Sequence, residues 1–404
     1  MIILIVRFLF FSKRRALISS LCIILCLVTI VSFLPQKPSD FRAFPAATSK
    51  TIKGVWINYA EFADMINNHD QTAYCHEIAS VLQTLADLEL NTVFLHVHSH
   101  SDSFFPSAIF PWSKRINEGT GVDYDPLQLF VELAHRNNIK VHAWFNPYRV
   151  DAKTLNEIRA DDPAFQWKDC PEHLLTCDDG VYYNPASAAV RTLVLSGVRE
   201  VLENYAIDGI HYDDYFYPTT AVSFDRVSYE QYATLTDNPL PLGDWRRCQV
   251  NLLISGTYQL MSGYDNVVFG VSPAANLDNN FQALYADVVS WAQGGYVDYL
   301  CPQLYFGFEY PKQEFRFERL LAQWQTAIGE CPLIIGIASY KVGKEDAGSQ
   351  EWILERDILA RQAEMALTAG CYGVCVYSYG TLILQDELSS LQRMHLKKTM
   401  ARFG

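Results

Sequence analysis

The chain lacks the markers of several large functional classes. Positive charge is short: 32 Lys and Arg stand against 45 Asp and Glu, a formal net charge of −13. A nucleic-acid partner wants a basic face, so no such partner is expected. No Cys-x-x-Cys pair occurs, which removes the common thiolate zinc frameworks. No Gly-x-Gly-x-x-Gly follows the first strand-like run, which argues against a dinucleotide-binding open sheet. No cofactor is expected, and nothing in the sequence names a protein partner. No repeat of 20–50 residues is present beyond an alternation of strand and helix patterns. Low hydrophobicity is absent as well: 50% of the residues are hydrophobic, which supports a large core and excludes wholesale disorder.

What is present starts with an uncharged apolar run at 16–34, nineteen residues preceded by Arg7, Lys13, Arg14 and Arg15. Such a run can just span a bilayer. Basic residues ahead of it stay on the cytoplasmic side, so the remainder is expected outside. No small-x-small cleavage site follows Leu34, and Cys22 and Cys26 sit inside the run, so an uncleaved anchor is favoured over a cleaved signal. The expected organisation is a basic cytoplasmic segment at 1–15, a transmembrane helix at 16–34, a tether rich in Pro, Ser and Ala at 35–50, one domain at 51–395 and a tail at 396–404. The expected location is the cell membrane with a single pass, or the exterior if the signal is cleaved. Export permits disulfides. Cys170 and Cys177, both in a loop, are the one pair considered for bridging; the other downstream cysteines read as buried thiols.

Strand-like runs lie at 54–59, 92–97, 140–147, 209–215, 267–273, 299–305, 333–339 and 373–380. Helix-like runs lie between and after them at 73–89, 126–138, 187–205, 244–263, 284–294, 315–328, 351–369 and 386–395. Eight strand-then-helix units predict an α/β fold, a (β/α)8 TIM barrel preceded by the transmembrane helix. The long loops 98–124, 148–186 and 216–243 all follow strands, the side on which barrel enzymes carry their sites.

Most strand ends carry polar or aromatic groups. The fourth ends in His211-Tyr212-Asp213-Asp214-Tyr215-Phe216-Tyr217. Carboxylates at the end of a buried strand are costly unless paired or used. Beside aromatic rings they suit the cleavage of a glycosidic bond, which needs a proton donor and a second carboxylate. Period-two alternation puts His211 and Asp213 on the inner face and leaves Asp214 at the rim. Asp213 is the first candidate, with Asp214, Glu309 and, more weakly, Asp278 as candidate partners. Trp144, Tyr148, Tyr215, Tyr305 and Tyr377, with Phe216, Tyr217 and Phe308, are candidates for stacking on sugar rings. Asn146, Arg149, Asn276, Gln303 and Lys341 are candidates for polar contacts, as are His98, His142 and His211. Two rival readings stand beside this one. A carbohydrate-binding barrel without catalysis would keep the aromatics and need no second carboxylate. A metal-dependent hydrolase would use His96 and His98, expected on one face, with His142 and His211. A hydrogen-bonded set of core imidazoles is the ordinary reading of those histidines, so no metal is expected.

Several segments resemble the glycosyl hydrolase-like 10 family, a group of exported bacterial barrel proteins. They include Gly54-Val55-Trp56, Val141-His142-Ala143-Trp144-Phe145-Asn146-Pro147-Tyr148-Arg149-Val150, the block at 208–218, Phe269-Gly270-Val271-Ser272-Pro273-Ala274, the segment 299–305 and Ala338-Ser339-Tyr340-Lys341-Val342-Gly343. The resemblance implies a (β/α)8 glycoside hydrolase-like domain acting outside the membrane on glycan strands of peptidoglycan, particularly strands stripped of peptides. It maps the family's Asp-Asp pair onto Asp213 and Asp214. The chain departs from the expected pattern at His98.

Overall fold

The computed structural model describes residues 51–403. The apolar run and tether lie outside the described residues, and among the described residues no helix is long and apolar enough to cross a membrane.

Eight parallel strands form one sheet: β1 (Ile52–Ile57), β2 (Thr92–His98), β3 (Lys140–Phe145), β4 (Gly209–Tyr212), β5 (Val268–Val271), β6 (Tyr299–Leu300), β7 (Ile334–Ala338) and β8 (Gly373–Tyr377). Their order is β6-β5-β4-β3-β2-β1-β8-β7. The two edges meet through isolated bridges, Leu300 with Leu333 and Gln303 with Gly336. The Leu300 N–H donates to the Pro332 carbonyl at 3.0 Å and the Gly336 N–H to the Pro302 carbonyl at 2.9 Å. The sheet is therefore a nearly closed barrel.

Six strands are shorter than the sequence predicts, and for the fourth and sixth the local reason is plain. The fourth stops at Tyr212 because the Asp213 carboxylate accepts the Tyr215 N–H at 3.2 Å, a turn that draws the chain out of the ladder. The sixth is interrupted at Pro302, which has no N–H to give; Gln303 then bridges to Ala274 and to Gly336.

A helix follows each strand: Gln71–Asp87, Pro126–Arg136, Ala188–Asn204, Leu242–Met261, Val288–Gln293, Phe317–Ala327, Ile358–Thr368 and Glu387–Arg402. Several start where a side chain satisfies an orphan N–H. Asp70 accepts from Ala73, Asp125 from Gln128, Ser187 from Val190 and Asp386 from Ser389. The run expected as one helix at 351–369 is two, Glu351–Leu354 and Ile358–Thr368. The last helix runs to Arg402, through the segment that the sequence pattern leaves as a tail. There Leu396 and Met400 are buried, and the Met400 carbonyl accepts from Lys53 Nζ at 3.2 Å, which ties the helix to β1.

Apolar residues form two layers. The outer one lies between strands and helices, with Val55, Val93, Ile210 and Ile337. The inner one fills the barrel with Trp56, Phe94, Trp144, Tyr299 and their neighbours. Rings this large fit because glycines face them. A Cβ on Gly270 would lie 2.0 Å from the Tyr299 ring, and one on Gly209 would lie 2.7 Å from His142. The long loops are pinned by buried charge. Asp102 accepts from the Ser99 and His100 N–H groups at 3.0 and 2.8 Å. In the loop after β4, Asp225 meets the fully buried Arg246 guanidinium, which also donates to the Thr220 and Ala221 carbonyls and the Tyr285 hydroxyl. The Cys170–Cys177 bridge considered from sequence is not formed; both thiols are free, and a hairpin of Leu174–Cys177 and Gly180–Tyr183 spaces them.

Candidate active site

Beneath the barrel mouth lies a directional hydrogen-bond chain. Trp56 Nε1 is 3.2 Å from His211 Nε2, His211 Nδ1 is 2.9 Å from the Tyr299 hydroxyl, and that hydroxyl is 2.9 Å from His142 Nδ1. An indole N–H can only donate, so His211 Nε2 accepts and its proton sits on Nδ1. That N–H donates to the Tyr299 oxygen, and the Tyr299 O–H donates to His142 Nδ1. Both imidazoles are neutral: burial lowers His142 to about 4 and holds His211 well below the usual histidine range. His142 and His211 are thus the floor of the mouth rather than its wall.

The expectation that His96 and His98 share a face is overturned. The pairing of β2 with β3 shifts register between them, and such a bulge turns the succeeding residue to the other face. His96 faces inward and stacks on Trp144 at 3.7 Å. His98 packs outward, 4.4 Å from Phe110 and 5.5 Å from Phe145. The four histidines therefore do not assemble as a ligand set. Among the described residues, the His, Cys and carboxylate group within mutual ligand reach is Cys170, Glu172 and His173, in the loop after β3.

Above the floor sit the two aspartates. Asp213 is 3% exposed. Its carboxylate accepts from Trp144 Nε1 at 3.0 Å, from Asn146 Nδ2 at 3.1 and 3.2 Å, and from the Tyr215 N–H. Asn146 is itself held by the N–H groups of Tyr148 and Arg149 at 3.3 and 3.1 Å. Burial, then the neighbouring Asp214 charge, push the Asp213 carboxyl up to about 7, against those hydrogen bonds and the Arg149 charge. Burial pushes Asp214 up to about 6, against a Gln303 hydrogen bond and Arg149. Asp213 is therefore the more readily protonated of the two carboxyls in the empty site.

Asp214 lines a cavity of about 400 Å³ with Asn276, Gln303, Tyr305, Phe306, Tyr340 and Lys341 among its walls. Tyr305 stacks on Tyr377 at 5.7 Å, and Tyr340 stands edge-on to both. Arg149 lies 4.8 Å over the Tyr215 ring, which is 49% exposed at the rim. Asn276 caps Leu277–Gln282 through the Asn279 N–H at 2.7 Å, Gln303 donates to the Ser272 carbonyl at 3.1 Å, and Lys341 pairs with Asp346 at 2.7 Å.

The structure brings Asp213, Asp214, Trp144, Asn146, Arg149, Tyr215, Asn276, Gln303, Tyr305, Lys341 and Tyr377 to this mouth. It does not bring Glu309, which is exposed, lies outside the cavity wall and gives its N–H to the Glu351 carboxylate at 3.0 Å. Asp278 lines a separate surface depression. Tyr148, Phe216 and Tyr217 are buried in the outer layer, and Phe308 lies under the Arg361 guanidinium at 4.7 Å. Sequence reasoning passes over Phe306 and Tyr340, which line the cavity, and Glu61. The signal for Glu61 is its capping box with Asn58. Its carboxylate accepts from the Ser378 hydroxyl at 2.5 Å and the N–H groups of Gly380 and Asn58 at 2.8 and 3.0 Å, joining the ends of β1 and β8.

The family model described as glycosyl hydrolase-like 10 matches residues 51–354. Glycosyl hydrolase YngK of Bacillus subtilis (strain 168) is 30% identical over 375 residues, covering 85% of this chain and 72% of the relative. Glycosyl hydrolase DigH of Escherichia coli (strain K12) is 30% identical over 420 residues, covering 93% of each. Among solved structures, the PgaB (BpsB) glycoside hydrolase domain from Bordetella bronchiseptica superposes with a TM-score of 0.60 at 14% identity, over 85% of this chain and 98% of that one. A chitinase from Bacteroides thetaiotaomicron gives 0.50 at 11% identity, over 87% and 96%. At such identities the structures speak for the barrel fold alone.

Proposed function

The chain belongs to the glycosyl hydrolase-like 10 family, and on that premise we propose that it hydrolyses glycosidic bonds of bacterial cell-wall glycan, peptidoglycan or a related polysaccharide, with Asp213 and Asp214 as the reacting carboxyls. The observation that carries this is the pair itself. A buried Asp213 and a half-buried Asp214 at the end of β4, both raised toward neutral pH, stand at an open cavity with aromatic walls. A carboxyl raised in this way is fit to protonate a leaving glycosidic oxygen. Tyr305, Tyr340 and Tyr377 offer faces and edges to sugar rings, and Arg149, Asn276, Gln303 and Lys341 offer hydrogen bonds to hydroxyl, acetamido or carboxylate groups. The domain acts outside the cell membrane, held by the apolar run at 16–34.

The test is mass spectrometry of the products from peptide-free and peptide-bearing peptidoglycan strands. The wild type should release fragments, and Asp213→Asn and Asp214→Asn should each slow release by about 100-fold or more while folding normally. Release at the parental rate by folded Asp213→Asn overturns the assignment. Retention of the strands without release by any form identifies a carbohydrate-binding barrel instead.

A further inference from the structure

Resting on that glycosidase reading, we infer that the protein supplies no second carboxylate across the bond, and that the substrate's own 2-acetamido oxygen attacks the anomeric carbon, with Asp214 as proton donor and Asp213 orienting the amide.

Cleavage by two protein carboxyls places them on either side of the anomeric carbon, about 5–5.5 Å apart for retention and about 6.5–9.5 Å for inversion. Asp213 and Asp214 are consecutive residues at the end of β4, so both carboxyls come from one side of the barrel mouth. Among the described residues lining the cavity, Asp214 is the one carboxylate. The other walls offer Asn276, Phe306, Tyr340 and Lys341. The nearby acids are occupied or elsewhere. Asp346 is paired with Lys341, Glu61 is tied to Ser378 and Gly380, and Glu309 is exposed outside the wall. A nucleophile must therefore arrive with the substrate, and a carbonyl oxygen on the neighbouring carbon of a 2-acetamido sugar is one that needs no help from the far wall.

The surroundings divide the labour. The Asp213 carboxylate is surrounded by N–H donors, from Trp144, Asn146 and Tyr215. In the empty site burial outweighs these donors and raises the carboxyl to about 7; about one of its four acceptor sites is left for a fourth N–H, and that donor draws Asp213 to the anion, so that the proton rests on Asp214. The amide N–H of the substrate is that donor, and the bond aims the amide carbonyl at the anomeric carbon. Asp214 faces the cavity, where its proton can reach the leaving oxygen. In the first step the bond from the anomeric carbon to the leaving oxygen breaks, that oxygen takes the Asp214 proton, and the acetamido oxygen closes an oxazolinium ring. In the second step water attacks the anomeric carbon, gives a proton to the Asp214 carboxylate, and the ring opens to restore the acetamido group. Two displacements at one carbon retain its configuration.

The experiment uses the wild-type protein on peptide-free peptidoglycan strands, native or with the N-acetyl groups replaced by N-trifluoroacetyl. Proton NMR of the first products should show the anomer of the parent linkage. Trifluoroacetyl strands should be cut more slowly by on the order of 100-fold, because the electron-poor oxygen is a weak internal nucleophile and loses part of a large proximity advantage. Inversion, or equal rates on both strands, overturns this inference and leaves the glycosidase reading standing. No release from either strand by folded protein overturns both.

Discussion

Asp213 couples folding to pH, and the coupling has a definite sign. Its carboxyl is raised from 3.8 to about 7, chiefly by burial. Between those values the unfolded chain has lost the proton while the native state keeps it. The native state then binds more protons, so stability falls as pH rises through the window from about 4 to about 7. The cost is absent below about pH 4 and complete above about pH 7. At about 1.36 kcal/mol for each tenfold change in proton affinity, the rise from 3.8 to about 7 sets a ceiling of about 4 kcal/mol. Asp213→Asn removes the titration. The amide also turns one N–H toward a donor such as Trp144 Nε1, an offset of about 1–3 kcal/mol that does not vary with pH. The diagnostic quantity is therefore the slope and not the level. For about 350 structured residues the unfolding entropy is about 0.7 kcal/mol per degree, so the swing reaches about 5 °C in Tm. Thermal unfolding followed by circular dichroism, for wild type and variant at constant ionic strength, should show the variant gaining on the wild type between the acidic and the basic end of that window. A difference in Tm that stays flat to within about 1 °C refutes the buried, raised carboxyl.

Three other substitutions test the frame. Arg246→Met leaves the 1% exposed Asp225 carboxylate unpaired and should cost about 3–5 kcal/mol by urea unfolding; the double variant with Asp225→Leu should be no worse than the single one, and simple additivity counts against the pairing. Gly270→Ala drives a Cβ into the Tyr299 ring at 2.0 Å and should give insoluble or strongly destabilised protein, whereas Gly263→Ala, with only the Leu260 carbonyl nearby at 3.8 Å, should leave Tm unchanged. Glu309→Gln should leave the rate of glycan release within about twofold, and a loss beyond about tenfold would return that residue to the site.

The sequence reads clearly where a pattern repeats. Eight apolar β-prone runs alternating with amphipathic ones are legible because burial imposes their periods, and all eight strands are present in the expected order. The ends of strands read less well, because they are decided by single side chains. The Asp213 carboxylate captures the Tyr215 N–H, and Pro302 withholds one. Faces are lost in the same way. Alternation assigns His98 to the mouth, but one register shift after His96 sends it outward against Phe110. Glu309 shows the opposite failure. It follows a strand that reads as ending in the mouth, yet the turns after Pro302 lead the chain away to Glu351.

The histidine floor is the least legible part, and it bears most directly on the carboxyls above it. His142 and His211 look like ligands or substrate contacts because strand-end histidines often are. Their fate depends on Tyr299, which lies 157 and 88 residues away in the chain. Once that hydroxyl sits between them, and Trp56 donates to His211, only one set of tautomers is consistent, and protonating either the Nδ1 or the Nε2 acceptor would break a link. The interior beneath Asp213 therefore carries polar groups without carrying charge. A cation there would draw the Asp213 carboxyl down toward the ordinary carboxylate range and strip its proton. The floor must also fill the space that Gly209 and Gly270 leave, and the His142 and Tyr299 rings do so. The neutral chain meets both demands: it fills the barrel, and it leaves the charge at the mouth to be set by burial, by Arg149 and, for Asp213, by the neighbouring Asp214.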